Sequence, residues 1–553
     1  MLELFPSDWR SVWQGVNDLE PVGAIFTKPE IVELILDLAG YSSSAERLAT
    51  RPLLEPSCGD GAFLTAVVNR LLSSEVEHNG RVDWMDSTLD GAIRAADISV
   101  VSVGAARALV QDILVNAGST DERATQLADT WIVHTDFLLA DWRTRFEFVI
   151  GNPPYVRIED VPKPVLSRYR ELFPTTTDRA DIYIAFFEKG LEVLSGTGTL
   201  AFICANRFTK NKYGQALRRL IAQRYRVRNY INLEHTQPFL SDVSAYPAII
   251  VIDRAQGNPT RAATLSDIEP ATITAVRTAA LASGPPEAPV SQFKSWYAGG
   301  EPWLTTCDVE HGVLDRLNRS LPTLEDSAPG TRVGIGVATG ADGVFILEHK
   351  HPEIEESRQI PLLMAVDVSN DALRWSGRYL LNPFADANDG KLADLAEYPG
   401  FAQYIAEHAA KLKRRHCAQS RPNTWYRTID RVWPQLQQHP KLVIPDIQGS
   451  ATIGFDRGEF YPHHNLYWIT SDTWPLLALK ALLRSSILYR QVRAHSVQMR
   501  GGSVRFQAQT LRKVRLPHLT SISDNLLERL SAVANTGNQA EIDAVADEAF
   551  SPT

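Results

Sequence analysis

The sequence predicts an α/β fold for the first half of the chain. Two observations support this prediction: short apolar runs of strand length recur through residues 1–255, and helical apolar spacing separates them. Such alternation is typical of a largely parallel sheet flanked by helices. The chain has 553 residues, 44% of them hydrophobic and 22% charged. This length exceeds one domain, and the composition is that of globular proteins and not of disordered chains or coiled coils.

The individual elements of this half follow from periodicity. Apolar residues three and four positions apart predict a helix, whereas short unbroken apolar runs bounded by turn or polar residues predict buried strands. The predicted helices cover Ile31–Leu38, Leu64–Leu71, Ile184–Leu194 and Gln215–Ala222, and the predicted strands cover Phe148–Ile150, Leu200–Ile203 and Ala248–Ile252.

The rest of the chain divides by composition. Residues 256–295 are rich in Ala, Thr, Pro and Gly, which predicts a connector with little regular structure. Residues 296–519 contain more Trp, Tyr and Arg and predict a second domain of mixed α/β structure. Residues 520–553 predict a helical, mildly acidic C-terminal tail.

Charge is distributed unevenly along the chain. The net charge is −9, but residues 1–150 alone carry −12, and residues 473–523 contain nine Lys or Arg and no acid. An acidic body joined to a basic region is typical of proteins that meet phosphates with one part only.

Several classes of protein are disfavoured. The sequence contains no apolar stretch of the ~20 residues that cross a bilayer, and its start lacks the pattern of a secretory signal. The four cysteines are far apart and form no CxxC, and His463–His464 has no third ligand nearby in sequence. We therefore expect a cytoplasmic protein without membrane contact and without a metal site.

The first chemical motif is Leu53-Leu-Glu-Pro-Ser-Cys-Gly-Asp-Gly-Ala-Phe-Leu64. It predicts a strand, a glycine turn and a helix, in which Gly59 and Gly61 let the backbone approach a ligand at the helix N-terminus. A glycine turn alone is often only a turn. Glu55, at the carboxyl end of the strand, favours a ligand site.

The second motif is Phe148-Val-Ile-Gly-Asn-Pro-Pro-Tyr155. An apolar strand carries Asn152 to its carboxyl end, where open α/β sheets bind ligands, and the prolines prevent a helix from following. The amide oxygen and a nearby carbonyl could accept both hydrogens of an aromatic amine and turn its lone pair toward an electrophile. Tyr155 offers a flat face for stacking on a planar ring. A proline-rich turn around a buried Asn is the alternative interpretation.

Together these motifs resemble the amino-group methyltransferases that use S-adenosylmethionine, specifically the TaqI-like gamma class of N6-adenine DNA methyltransferases of restriction-modification or related defence systems. The resemblance implies a Rossmann-like methyltransferase domain at 1–255 and a DNA target-recognition domain at 296–519. It implies that Asn152, Pro153 and Pro154 hold the adenine amine and that Tyr155 stacks on a flipped base. It also places Glu55, Ser57 and Gly59 around the methionine part of the cofactor.

The same resemblance implies weaker site positions. Thr27 would contact the cofactor carboxylate, although Thr27 and Glu30 also match a capping box. Asp136 would accept from the cofactor's adenine amine, with Phe137 beside it. Two positions stay open: the ribose-binding acid is Asp97 or, in reserve, Asp90, and the second stacking aromatic is Phe239 or Tyr246. Asp97 follows Glu55 by more than the usual ~20 residues, which requires an insertion in residues 73–90.

The second domain would then grip duplex DNA, because an adenine must be extruded from the helix before a pocket can reach its amine. Lys and Arg supply phosphate contacts, and base-edge contacts supply sequence choice. The candidates are Lys411, Arg414, Arg415, Arg500, Arg505 and Gln507. Val333–Phe345 resembles the entry to the recognition domain of that family, and Gly501–Pro517 resembles its closing segment. We expect DNA in a cleft between a catalytic and a recognition domain of a monomer.

Three alternatives remain. The Asn-Pro-Pro-Tyr motif also serves enzymes that methylate a protein glutamine or an RNA guanine, but those chains are generally much shorter. A fused nuclease is disfavoured because only about 22 residues precede the cofactor segment and no Pro-Asp is followed by Glu-x-Lys. A separate cognate endonuclease, or other defence proteins, would then be the partner. A silent DNA-binding subunit of a defence complex is disfavoured by the intact motifs.

Overall fold

The chain forms two compact units, residues 1–308 and 309–553. The computed structural model describes residues 25–550 except 45, 242–245, 256–258, 294–295, 298, 304–307, 370–371, 386–389, 449–451 and 497–503. Each unit is described separately. Within these described residues, no helix is both long and apolar enough to span a bilayer.

A nine-stranded mixed sheet organises the first unit, with the strand order β3-β2-β1-β4-β5-β7-β6-β8-β9. The strands are β1 (Leu53–Glu55), β2 (Ile93–Asp97), β3 (Ile132–His134), β4 (Phe146–Gly151), β5 (Leu194–Ala205), β6 (Arg226–Asn232), β7 (Pro247–Asp253), β8 (Thr260–Thr264) and β9 (Ser291–Phe293). Strands β3, β2, β1, β4 and β5 run parallel, while β7 is antiparallel to both of its neighbours. The Rossmann-like expectation is confirmed, with a mixed second half of the sheet.

Helices cover both faces of this sheet. They are α1 (Pro29–Ala39), α2 (Ala62–Asn79), α3 (Thr88–Ala92), α4 (Val100–Asn116), α5 (Asp121–Trp131), α6 (Lys163–Leu172), α7 (Tyr183–Glu192), α8 (Gln215–Arg224) and α9 (Pro270–Leu281). Neighbouring strand residues point to opposite faces, so that Leu53 lies in a core with α1, α2, α4, α5 and α9, and Leu54 lies in a core with α6, α7 and α8.

The periodicity predictions for this unit are confirmed except at the end of the helix predicted over Ile184–Leu194, which stops at Glu192, so that Leu194 begins β5. The predicted inward stripe of α1 is fully buried, and the helix starts with Pro29 in its first turn and ends at Gly40, whose φ of 83° suits glycine. The three predicted strands are β4, β5 and β7.

The prediction of an irregular connector at 256–295 is wrong for the described part of that segment. Strand β8 pairs in parallel with β6, β9 pairs with β8, and α9 buries Ile273 and Val276 in the first core. The alanine- and threonine-rich strand Thr260–Thr264 has a weak sequence signal because its pairing depends on the open edge of β6, which no local pattern reveals.

The second unit contains two four-stranded sheets, in the orders β10-β20-β16-β18 and β11-β15-β12-β19, and two two-stranded ladders, β13-β14 and β17-β21. The strands are β10 (Arg332–Ile335), β11 (Ile346–Leu347), β12 (Gln359–Leu363), β13 (Val368–Ser369), β14 (Ala372–Leu373), β15 (Tyr379–Leu381), β16 (Lys441–Pro445), β17 (Ile447–Gln448), β18 (Gly454–Asp456), β19 (Tyr461–Pro462), β20 (Leu466–Thr470) and β21 (Val504–Arg505).

Its helices are mostly short. They are α10 (Asp308–Ser320), α11 (Asp342–Phe345), α12 (Pro399–Glu407), α13 (Ala409–Lys413), α14 (His416–Gln419), α15 (Pro434–Gln438), α16 (Leu476–Arg484), α17 (Ser486–His495), α18 (Ala508–Leu511), α19 (Asp524–Val533) and α20 (Gln539–Phe550). Within the described parts of both units, 3₁₀ helices occupy Leu48–Thr50, Ile158–Asp160, Asn206–Thr209, Lys212–Gly214, Glu356–Arg358, Ala365–Asp367, Pro422–Thr424 and Leu519–Ser521.

The C-terminal segment is helical, as predicted, but it belongs to the core of the second unit. Leu530, Ala534, Ile542 and Ala546 are fully buried in the same cluster as α16 and β16. Helices α19 and α20 therefore complete this unit instead of trailing from it as a tail.

Candidate functional site

The candidate site lies where the sheet order reverses. Strands β1 and β4 are parallel neighbours, with Leu53 beside Phe148, and their carboxyl ends deliver Glu55 and Asn152 to the same edge. From this point the crossovers lead to opposite faces, which opens a crevice outside the strand ends. The cavity found there is lined by every predicted catalytic and cofactor residue except Phe239, namely Thr27, Glu55, Ser57, Gly59, Asp97, Asp136, Phe137, Asn152, Pro153, Pro154 and Tyr155.

The glycine turn after β1 needs two left-handed residues. Gly59 has a φ of 53° and Gly61 a φ of 98°. A Cβ on Gly61 would lie 2.8 Å from Leu109 Cδ2, so that both conformation and space require glycine there. Helix α2 begins at the next residue, and the cavity is lined by Ala62 and Phe63 of its first turn. Unpaired N–H groups at such a helix start favour an anionic or polar ligand.

Asp97 ends β2 and holds this turn in place. Its Oδ2 accepts the Gly59 N–H at 2.9 Å and its Oδ1 accepts the Ser99 N–H at 2.9 Å. Burial raises the pKa of its carboxyl. Asp90, the reserve candidate, lies in α3 and pairs with Arg123 at 2.7 Å, away from the cavity lining. The insertion required between Glu55 and Asp97 consists of the end of α2 and of α3.

Glu55 is an acid without a counter-charge among the described residues. It is 1% exposed, and its Oε2 has no hydrogen-bond partner in this part of the chain. Burial first, and then repulsion by Asp97 and Asp60, raise the pKa of this carboxyl well above its usual value. A buried carboxyl beside a second acid is arranged for a cationic or hydrogen-bonding ligand.

The carboxamide of Asn152 is fixed in one orientation. Its Nδ2 donates to the Ile25 carbonyl at 2.9 Å and to Thr27 Oγ1 at 3.3 Å. Its Oδ1 is buried and lacks a hydrogen-bond partner among the described residues. Because a buried acceptor without a partner costs free energy, this oxygen is poised to accept from a ligand.

Thr27 corrects one expectation. The residue preceding α1 is Lys28, and no side chain caps this helix start, so the predicted Thr27–Glu30 capping box is wrong. The Thr27 hydroxyl instead accepts from Asn152, and its backbone forms a bridge with Phe239. Thr27 therefore supports the orientation of the Asn152 carboxamide by direct contact.

The assignment of the second stacking aromatic to Phe239 or Tyr246 stays a prediction. Phe239 is 2% exposed and meets the Tyr155 ring edge-on, with 5.9 Å between ring centroids, so that it supports Tyr155 from the core. Tyr246 lies beneath the guanidinium of Arg207, 5.9 Å from the ring centroid. Neither candidate lines the cavity, because local sequence cannot distinguish an aromatic of the cavity wall from the aromatic packed behind it.

Asp136 and Phe137 lie together after β3. Asp136 Oδ1 accepts the Leu138 N–H at 2.8 Å, and its Oδ2 accepts the Tyr169 hydroxyl at 2.6 Å. The Phe137 ring packs against Phe186 at 5.1 Å between centroids. Tyr169 and Phe186 were missed by the sequence analysis. They come from α6 and α7, where an inward aromatic is indistinguishable from ordinary core.

The predicted DNA-contacting residues of the second unit fall into two groups. Lys411 and Arg414 are exposed. Arg415 donates to the carbonyls of Thr339, Trp425 and Arg427 and stacks over Phe345 at 5.4 Å. Arg415 therefore has a structural role, contrary to its prediction as a phosphate contact.

The closing segment shows a similar division. Arg505 forms an ion pair with Asp446, which raises the pKa of the Arg505 guanidinium. This ion pair offsets part of the charge that Arg505 could offer to a phosphate. Gln507 accepts a hydrogen bond at its Oε1 from Gln509 Nε2 at 2.8 Å. Arg500 lies outside the described residues.

Comparison with known proteins gives a family match and near full-length relatives. Residues 101–239 match the model described as Eco57I restriction-modification methylase. The chain is 43% identical to the Type II methyltransferase M.XhoI of Xanthomonas vasicola, over 94% of this chain and 95% of that protein. It is 44% identical to M.PaeR7I of Pseudomonas aeruginosa (93% and 89%) and 38% identical to M.BstVI of Geobacillus stearothermophilus (96% and 96%).

Among solved structures, the chain is similar to the Type IIL restriction-modification enzyme MmeI, which was solved in complex with DNA. The TM-score is 0.63 at 14% identity, and the match covers 94% of this chain and 74% of that one. At this identity the likeness concerns the fold.

Proposed function

The chain belongs to the Type II DNA methyltransferases of restriction-modification systems, and from this premise we propose that it methylates the N6 amine of adenine in duplex DNA, with S-adenosylmethionine as donor. Methylation of this kind marks a sequence so that a cognate nuclease does not cut it. The target base is extruded from the helix, because the cavity lies at the end of a sheet where a stacked base cannot enter.

The observation that carries the proposal is the free amide oxygen of Asn152. Its Nδ2 is held by Ile25 and Thr27, so that only Oδ1 is available to a ligand, and Oδ1 can only accept. An exocyclic adenine amine has two hydrogens to donate. If Asn152 Oδ1 takes one and the adjoining backbone carbonyl takes the other, the nitrogen lone pair is directed out of the ring plane. Pro153 and Pro154 keep that backbone out of a helix.

The cofactor assignment rests on the chemistry of the acids. S-adenosylmethionine supplies an electrophilic methyl group when bound. Glu55, buried without a counter-charge in the described chain, fits a cationic methionine moiety. Asp97 ends β2, where an acid accepts from ribose hydroxyls, and Asp136 with Phe137 fits the adenine of the cofactor. If the site holds the adenine N6 nitrogen ~3 to 3.5 Å from the methyl carbon, alignment lowers the activation free energy by on the order of 7 to 11 kcal/mol.

Lys411 and Arg414 are our proposed phosphate contacts, since both are exposed and each could release a DNA counterion. We also propose that a separate endonuclease is the partner in defence, because the near full-length relatives are named as methyltransferases alone. A monomer suffices for an asymmetric target.

The test is transfer of labelled methyl groups from S-adenosylmethionine to DNA, followed by digestion and identification of the modified base. We expect label in N6-methyladenine, lost by at least ~10³-fold in Asn152→Ala, because the variant removes the acceptor that aligns the amine. Asn116→Ala is the matched control, since Asn116 is exposed on α4. Label in protein or RNA alone, or equal activity of the two variants, would contradict the proposal.

A further inference from the structure

Three side chains that could bind a metal ion lie close together in the second unit. They belong to Asp342, His463 and His464, although the aspartate is distant from the histidines in sequence. Asp342 is the first residue of α11, and the histidines form the turn between β19 and β20. The fold thus supplies the third ligand that sequence proximity did not indicate.

Backbone pairing fixes the position of this turn. Val337 forms a parallel bridge with His463, its N–H donates to the Pro462 carbonyl at 3.0 Å, and its carbonyl accepts the His464 N–H at 3.1 Å. The Asp342 side chain is oriented by the Thr339 hydroxyl, which donates to Oδ1 and leaves Oδ2 toward His463. The ligands are therefore presented by structured elements.

The separations suit a single small cation. His464 Nδ1 lies 2.9 Å from His463 Nε2, which lies 3.4 Å from Asp342 Oδ2, and all three ligand atoms lie within 4.8 Å of one another. Zinc binds imidazole nitrogen at ~2.0 to 2.1 Å, so that two ligands at a tetrahedral angle lie about 3.3 Å apart. Small side-chain rotations would bring the three atoms to one ion.

The surroundings of His463 provide a second, independent observation. This ring is 3% exposed, and its far nitrogen, Nδ1, is buried. The Asn465 side chain, whose Oδ1 is also buried, lies within hydrogen-bond reach of this ring. A proton on Nδ1 facing Asn465 would leave the Nε2 lone pair for a metal, as in metal-bound histidines whose other nitrogen is held by an oxygen.

We propose that Asp342, His463 and His464 bind one zinc ion, with water as the fourth ligand. Two imidazoles and one carboxylate favour zinc over magnesium or calcium, which prefer oxygen ligands alone. Asp342 and His464 are exposed, so that the ion can enter from solvent. The ion joins the start of α11 to the β19–β20 turn and stabilises this part of the second unit. It takes no part in methyl transfer.

The test uses the untagged full-length protein, freed of metal with EDTA, desalted and titrated with zinc chloride by isothermal calorimetry. We expect one zinc per chain and a rise in the melting temperature of the wild type. Asp342→Asn and His464→Ala should each weaken binding at least tenfold and abolish that rise. Both residues are exposed, so these variants fold even where a change at buried His463 would not.

His349→Ala is the matched control, because His349 is an exposed histidine of the same unit outside the cluster. Cobalt should give the visible ligand-field bands of a four-coordinate site in the wild type and the control only. A single zinc lost in the two cluster variants and kept in the control supports the proposal, and any other pattern overturns it. In the absence of zinc binding, the two histidines form only a hydrogen bond. None of these measurements depends on methyl transfer.

Discussion

Replacing Glu55 by Gln should weaken cofactor binding without lowering the stability of the fold, because the two side chains have the same shape and only glutamate can carry a charge. A unit charge about 4 Å from a cation contributes about 4 kcal/mol at an effective dielectric constant near 20. Part of this is offset at any pH below the folded pKa, since the carboxyl must then first lose its proton, at about 1.4 kcal/mol per pH unit. We expect Glu55→Gln to weaken S-adenosylmethionine binding by about 1 to 3 kcal/mol, or roughly 5- to 150-fold.

The same variant should be at least as stable as the wild type. Glu55 Oε2 has no partner in the described residues to lose. The pKa of Glu55 is raised in the folded state, so the folded protein keeps a proton that the unfolded chain loses above about pH 4.5. The free energy of unfolding therefore falls as pH rises from there to the folded pKa, by at most about 1.4 kcal/mol per unit for this group. The glutamine variant lacks this decline.

Two measurements test this reasoning: calorimetric titration with S-adenosylmethionine and scanning calorimetry without it, each at several pH values. Wild-type affinity should increase with pH until the folded pKa is passed, whereas the affinity of the variant should stay flat. The stability advantage of the variant should grow over the same range. Unchanged cofactor affinity, or a variant less stable than the wild type at pH 8, would refute the role assigned to this carboxyl.

Four further substitutions have expected outcomes. Tyr169→Phe removes the hydroxyl that donates to Asp136, and calorimetric titration should show cofactor affinity lower by about 1.5 to 3 kcal/mol; unchanged affinity would detach Tyr169 from the site. Gly61→Ala forces a side chain into a left-handed residue, so scanning calorimetry should show a loss of about 1 to 2 kcal/mol, and an unchanged melting temperature would contradict the strain. Arg415→Ala should lower the melting temperature because three carbonyls lose their donor, whereas Arg414→Ala should leave it unchanged and weaken DNA binding in anisotropy titrations, with a salt slope smaller by about 0.9. The opposite pattern would exchange the roles of these two arginines.

Local patterns predicted the part of the fold that forms the candidate site. Strand β1 with its glycine turn, and β4 with Asn152, are continuous segments whose periodicity and turn residues already specify strand, turn and helix. The connector shows where such patterns end. Its strand β8 contains mainly alanine and threonine and is stabilised by pairing with β6, so the decisive information lies in another segment of the chain.

Within the site, the sequence predicted the residues that end strands and missed those that cover them. Glu55, Asp97 and Asn152 follow from their position after strands. Tyr169 does not, because its contact with Asp136 depends on how α6 lies over the cavity. Phe239, which the sequence offered as a stacking aromatic, packs edge-on against Tyr155, and this contact too depends on the tertiary structure.

The sequence by itself determined the α/β class, the order of the motifs and the chemical groups available: an amide oxygen, a set of acids and a glycine turn. Tertiary structure alone decided which of these groups keep a hydrogen-bonding atom available to a ligand. Asn152 has an available oxygen because Ile25 and Thr27 occupy its nitrogen, and Arg415 is engaged because distant carbonyls surround it. The physical reason is that hydrogen bonding and burial depend on neighbours in space, whereas a sequence motif specifies neighbours along the chain.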